Sequence, residues 1–272
     1  MCQELSGIFT KRGELVTDDS TCHHEMLIAS ANLREGCRSA VGEPNFIRWE
    51  YVPVDGDWTD CILRIDETMI PGWLDAAKQD DLLAQCEAYK ASLVVTPGKY
   101  PAMLGKKCII KNGTVEIEHA DMCCFLVGKG ATLKLGAVRG RIVFGDVGGS
   151  VTTGFVYRKG SVTTGLVDRN GSVTTGPVGG SVTTGPVYRN GSVTTGDIGD
   201  KGSVTTGDID RNGSVTTGDV GGSVTTGDLD RDGSVTTGLV GGSVTTGYVD
   251  GSVLILKTLF TNGLVQWPAR RE

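Results

Sequence analysis

Ten copies of SVTTG begin at Ser150, Ser161, Ser172, Ser181, Ser192, Ser203, Ser214, Ser223, Ser234 and Ser243, always 9 or 11 residues apart, and a degenerate copy begins at Ser252. A repeat this short cannot enclose a core by itself, so it must gain one by stacking on its neighbours. The uneven spacing conceals a shorter unit. Gly-x-Val/Ile/Leu recurs from Gly149-Ser150-Val151 to Gly251-Ser252-Val253, which is 20 steps over 102 residues and a mean of 5.1. Two kinds of segment alternate. One is always the five residues GSVTT, and the other has four (GPVG, GDVG, GLVG, GYVD) or six (GPVYRN, GDIDRN, GDLDRD). Two of each give a coil of about 20 residues with SVTTG on two opposite faces.

Small-x-aliphatic every five residues resembles the pentapeptide-repeat proteins, in which the small and the aliphatic residues point inward and four faces close one coil. Glycine takes the small place here, where it allows close backbone packing and tolerates corner dihedrals. The usual Ala and Asn/Asp of that family are mostly absent. The expected fold is mainly β: a right-handed, four-sided β-solenoid with a small N-terminal α/β head and a C-terminal hairpin cap. The pattern reaches back through Ala131-Thr132-Leu133 to Ala120-Asp121-Met122. About six coils follow, or roughly 29 Å of solenoid at ~4.8 Å per coil. Ser and both Thr of each SVTT are expected to face outward.

Composition divides the chain into a head over 1–105, the solenoid over 106–253 and a terminal segment over 254–272. In the head, Asp18, Asp19 or Ser20 would cap a helix over Thr21–Leu33. Asn45–Val54 and Cys61–Asp66 alternate as strands do around Asp55-Gly56-Asp57. Pro71 would open a second helix bearing Trp73, Leu74, Ala77, Leu82, Leu83, Cys86 and Tyr89. The head would cap one end of the solenoid. At the other end, Val253–Leu256 and Leu259-Phe260, a turn at Thr261-Asn262-Gly263 and Leu264–Trp267 read as a hairpin that covers the end or, through 253–267, makes a homodimer contact.

MCQELSG, CHHEMLIASANL, NFIRWEY and RIDETMIPGWLDAA, followed by the array, resemble a family of phage, prophage and gut-bacterial proteins with a short α/β head and a hypervariable β-solenoid. That resemblance implies a viral protein working in the cytoplasm of a bacterial host. It carries no functional residues across.

The net charge of −6 and the lack of a Lys/Arg-rich run argue against direct nucleic-acid binding. No apolar run nears the ~20 residues of a membrane span, and the N-terminus has no hydrophobic signal region. The eight cysteines form no CxxC pair and are read as free thiols. Cys22-His23-His24, with Cys37 and Cys61, offers zinc-ligand types, but adjacent helical residues diverge by about 100°. The head shows no nucleophile motif, so an enzyme is not expected and no cofactor is implied.

Function is sought in the loops between SVTTG copies. If alternate loops share a side, Arg169, Arg189, Arg211 and Arg231 form a column, with Asp168, Asp210, Asp230 and Tyr188 beside them. This is the expected binding edge, facing a host protein as an inhibitor or anti-defence factor, or a phosphate-bearing ligand. The bland alternative is a solvated ladder of charges. Asp208, Asp210, Asn212 and Asp219, and Asp228, Asp230 and Asp232, match part of the spacing of calcium loops. Threonine columns resemble the faces of ice-binding proteins. Ten Asp against seven Lys/Arg over 149–253 (7 − 10 = −3) is too little charge for a duplex mimic.

Overall fold

The computed structural model describes residues 5–19, 23–33, 43–54, 57–167, 170–230, 232–250, 252–258 and 264–266. The chain forms two compact units, Met1–Val94 and Val95–Glu272.

The first unit is built on a four-stranded antiparallel sheet. Its strands are β1 (Ser6–Thr10), β2 (Leu15–Val16), β3 (Phe46–Val54) and β4 (Asp57–Ile65), in the order β2-β1-β3-β4. Helix α1 (His24–Ser30) buries Leu27 and Ile28 with Ile8 and Phe46. It is shorter than the sequence suggests; Ser20, Thr21 and Cys22 lie outside the described residues, as do Asp55-Gly56. Helix α2 (Ala76–Ser92) starts later than Pro71 because Asp75 is its cap, accepting the Lys78 N–H at 2.9 Å. The residues from Pro71 instead make a turn, closed by the Leu74 N–H on the Pro71 carbonyl at 3.0 Å.

The second unit is a β-solenoid with two nine-stranded parallel sheets. Its first strands are Gly98–Leu104 and Lys107–Ile110, so the solenoid begins ahead of residue 106 and well ahead of the expected six coils. Nine rungs span about 38 Å. The upstream rungs escape the sequence pattern because they use Val115, Ile117, Cys123, Phe125 and Val127 in the core instead of a fixed Gly-x-Val.

Through the array the strands stack in identical register. Ser161, Ser181, Ser203, Ser223 and Ser243 align on one sheet, so successive coils are 20, 22, 20 and 20 residues long. Between the two sheets run two columns of single bridges. One links Val138, Val156, Val178, Ile198, Val220 and Val240; the other links Val147, Val167, Val187, Ile209, Leu229 and Val249. With the valine lines of the two sheets they make four lines of aliphatics, the four sides of the core, and among the residues whose burial is described all from Val138 to Val244 are buried, with Val249 half-buried.

Within each strand the pleat alternates Ser out, Val in, first Thr out, second Thr in. The outward reading of both threonines is therefore corrected: Thr153, Thr164, Thr175, Thr184, Thr195 and their successors are buried. The strand runs through the second Thr, so the corner follows only at the glycine. Most of these hydroxyls donate to the carbonyl of the following glycine, as Thr195 does to Gly196 at 3.1 Å. Thr184, Thr206 and Thr246 have no partner for theirs.

Of the two roles expected of glycine, close packing is observed and the corner-dihedral role is corrected. Among the described residues no array glycine has a positive φ. Glycine is needed for close approach: a Cβ on Gly202 would be driven into the Val178 carbonyl oxygen one coil away.

The expected terminal hairpin does not form. Ser252–Thr258 pairs parallel with Ser234–Val240, and Leu264–Gln266 pairs parallel with Ser243–Thr245 on the other sheet. They continue the coil because Ser252-Val253 keeps the register of Ser234-Val235, which carries the chain on round the solenoid and prevents it from doubling back. Leu259, Phe260, Thr261–Gly263 and Trp267 lie outside the described residues.

Candidate functional site: a ridge of stacked corner loops

The aliphatic column Val167–Val187–Ile209–Leu229 gathers the loops LVDRN, PVYRN, DIDRN and DLDRD on one side, on four consecutive coils. Of the expected binding edge, Arg189, Arg211, Tyr188, Asp210 and Asp230 are placed along this column. Asp168, Arg169 and Arg231 lie outside the described residues.

Each loop is two residues longer than its four-residue counterparts, and in PVYRN and DIDRN the extra pair makes a reversed corner. Arg189 and Asn190 have φ of 50° and 65°, and Arg211 and Asn212 have 52° and 63°. Gly191 donates its N–H to the Tyr188 carbonyl at 2.8 Å, and Gly213 donates to Asp210 at 3.0 Å. Two positive φ values closed by an i to i+3 bond define a type I′ turn. Asparagine suits this region, whereas arginine there costs about 1 kcal/mol or more. Asn170 and Asp232 take the same conformation in the flanking loops, at 68° and 69°.

The loops also bond to each other. Asn170 donates its N–H to the Arg189 carbonyl at 3.3 Å, and Asn190 donates to the Arg211 carbonyl at 3.2 Å. The turns thus extend the ladder beyond the aliphatic column into a continuous ridge. On it Arg189, Asn190, Arg211, Asn212, Asp230 and Asp232 are exposed, while Tyr188 and Asp210 are half-buried. Asp210 accepts the Arg211 N–H at 2.7 Å and lies 3.6 Å from its Nε. This pairing offsets the repulsion expected of stacked arginines. Burial pushes the Tyr188 phenol up, and the Asp208 and Asp210 carboxylates add to the shift.

The aspartates of the calcium-like spacing are placed differently. Asp208 precedes Ile209 and Asp219 precedes Val220, which belong to opposite columns, so one loop does not bring them together. Asp208 accepts the N–H of Asp228 at 3.0 Å, Asp219 that of Leu239 at 2.8 Å, and Asp228 that of Tyr248 at 2.7 Å, each in the next coil. Asp197 does the same for Asp219. This inter-coil capping, invisible to any local motif, is what the array's Gly-Asp pairs do. Where Phe155 or Leu166 stands in that place, the next coil has Pro177 or Pro186, which has no N–H to cap. Among the described residues no three His, Cys, Asp or Glu gather as a metal would require.

In the head, His24 is buried, with Nε2 3.3 Å from the Trp49 carbonyl and Nδ1 3.9 Å from Asp66. Cys22 and Cys37 of the zinc reading lie outside the described residues. Cys61, Cys86, Cys108, Cys123 and Cys124 form no disulfide. No helix among the described residues is long and apolar enough to cross a membrane.

These features define the protein as a repeat-built, four-sided parallel β-solenoid with a continuous ridge of corner loops along one side. Comparison with protein-family models, curated proteins and solved structures finds no match.

Proposed function

We propose that the chain is a non-enzymatic binding protein whose recognition element is the ridge of corner loops, engaging a protein partner. In the phage setting that the sequence resemblance implies, the partner is a protein of the bacterial host and the outcome is interference with it. The observation that supports this reading is the pair of arginines, Arg189 and Arg211, in the left-handed region on stacked I′ turns. A six-residue segment does not require that conformation. On the opposite side Tyr157–Gly160 and Gly199–Gly202 turn within segments of the same length with no positive φ among them. Strain that a fold could avoid marks a surface shaped for something other than stability.

The test is affinity capture from bacterial extract with the intact chain and with an Arg189→Ala, Arg211→Ala, Arg231→Ala variant, followed by binding of each purified candidate to both. Loss of a specific partner with an unchanged circular dichroism spectrum supports the ridge. Identical capture by both proteins would discard it.

A further inference from the structure

The side of the solenoid opposite the ridge carries a corner unlike any later one. Val138 bridges Val156, and this sets Arg139 against the next coil, its guanidinium 5.1 Å from the centre of the Tyr157 ring. Phe155 and Tyr157 flank the buried Val156 and are 40% and 42% exposed, with ring centres 4.7 Å apart and tilted by 58°. Later coils put Pro177, Asp197, Asp219 or Leu239 in the place of Phe155, and Gly179, Gly199, Gly221 or Gly241 in the place of Tyr157.

Charge accompanies the rings. Arg158 and Lys159 are exposed at the tip of the turn closed by the Gly160 N–H on the Tyr157 carbonyl at 2.7 Å. Arg141, also exposed, stands one rung away in register with Ser161. Asp121 rests against Gly140. These five groups carry 4 − 1 = +3 on a chain whose net charge is −6. The next coil offers only Gly179-Gly180 at this corner, so the rings and the loop overhang a step without side chains.

A ligand complementary to this corner needs both a planar apolar group and anionic groups. An acidic peptide would use the cations and leave the rings uncovered. A duplex keeps its base faces stacked inside. Four cations over two coils exceed what one phosphate engages. We propose that this corner binds single-stranded nucleic acid, with an unpaired base stacked on Phe155 and Tyr157 and neighbouring phosphates on Arg139, Arg141, Arg158 and Lys159. The cations come from two separate stretches, 139–141 and 158–159, so no basic run announces them in the sequence.

The test is fluorescence anisotropy of a labelled single-stranded DNA of about a dozen nucleotides with the full chain, at low salt and through a salt series. Binding should weaken as salt rises. Arg158→Gln with Lys159→Gln should lower the salt slope by about 1.4, at ~0.7 for each phosphate that is no longer neutralised. Phe155→Ala or Tyr157→Ala should weaken binding about fivefold or more. The proposal is overturned by no binding at low salt, by equal binding of the corresponding duplex, or by ring variants that bind as tightly as the parent, which would leave an anion patch only. Each variant must keep the parent's circular dichroism spectrum and melting; Lys159→Gln and Tyr157→Leu singly replace any that does not. Because the ridge lies on the opposite side, its arginine variants should bind the strand unchanged.

Discussion

Asp228 accepts the backbone N–H of Tyr248 at 2.7 Å, linking two coils through a side chain 20 residues away in sequence. The same place one column over is held by Asp197 with Asp219, and where Phe155 or Leu166 replaces the aspartate, Pro177 or Pro186 carries no donor. Asp228→Ala should therefore cost about 1 kcal/mol, the worth of one exposed hydrogen bond to a charged group. In a Tyr248→Pro background, where no N–H needs an acceptor, that cost should vanish. Urea titrations of the four proteins of this cycle read the coupling, and additive effects would refute the capping role.

Buried threonines offer a second comparison inside one repeated peptide. Thr184 has a buried hydroxyl with no partner, whereas Thr195 donates to Gly196 at 3.1 Å. Thr184→Val should raise stability by about 1 kcal/mol, because it removes an unpaired polar group at nearly constant shape. Thr195→Val should be neutral or lower it. Thermal melts should rise for Thr184→Val and not for Thr195→Val; an equal rise in both would refute the assignment.

Adjacent glycines differ as sharply. A Cβ on Gly241 would meet only the Val220 carbonyl at 3.9 Å, while one on Gly242 would be forced into the Gly222 carbonyl oxygen. Gly241→Ala should be tolerated or stabilise by about 0.5 kcal/mol through the unfolded chain. Gly242→Ala should cost about 3 kcal/mol or more, since neighbouring coils cannot separate locally. Denaturation midpoints check both.

Acid should loosen the first rungs. Glu116 lies 3.1 Å from both Lys99 and Lys134, which flank it in register on the neighbouring strands. Hydrogen bonds and charge from Lys134 and then Lys99 hold its carboxyl below the ordinary value of 4.5. A lowered folded-state pKa means that this contribution is complete above the ordinary value and is lost as pH falls below it. The stability difference between the parent and Glu116→Gln should be constant near neutrality and shrink below about pH 4.5. A difference independent of pH would show that the carboxylate does not carry it.

Much of this was legible in the chain itself. The array's period, the coil of about 20 residues and the gathering of the Arg189, Arg211 and Arg231 loops in alternate segments all follow from counting between glycines. Counting works because each segment spans one side of the coil, so its length maps directly onto a corner. Within SVTT, strand alternation from Val already implies an inward second threonine; an outward place for both would need the chain to turn between them.

What the tertiary structure decided depends on which residues meet across a coil. The partners Asp228 and Tyr248, Arg139 and Tyr157, and Asn190 and Arg211 are 18 to 21 residues apart, and only the bridges of the two aliphatic columns bring them together. The same holds for the chain end, where Ser252-Val253 chose parallel register over the local hairpin. Sequence determines the repeating element because backbone pairing is local in period. The chemistry that element displays is set by stacking, which places side chains from successive coils about 4.8 Å apart.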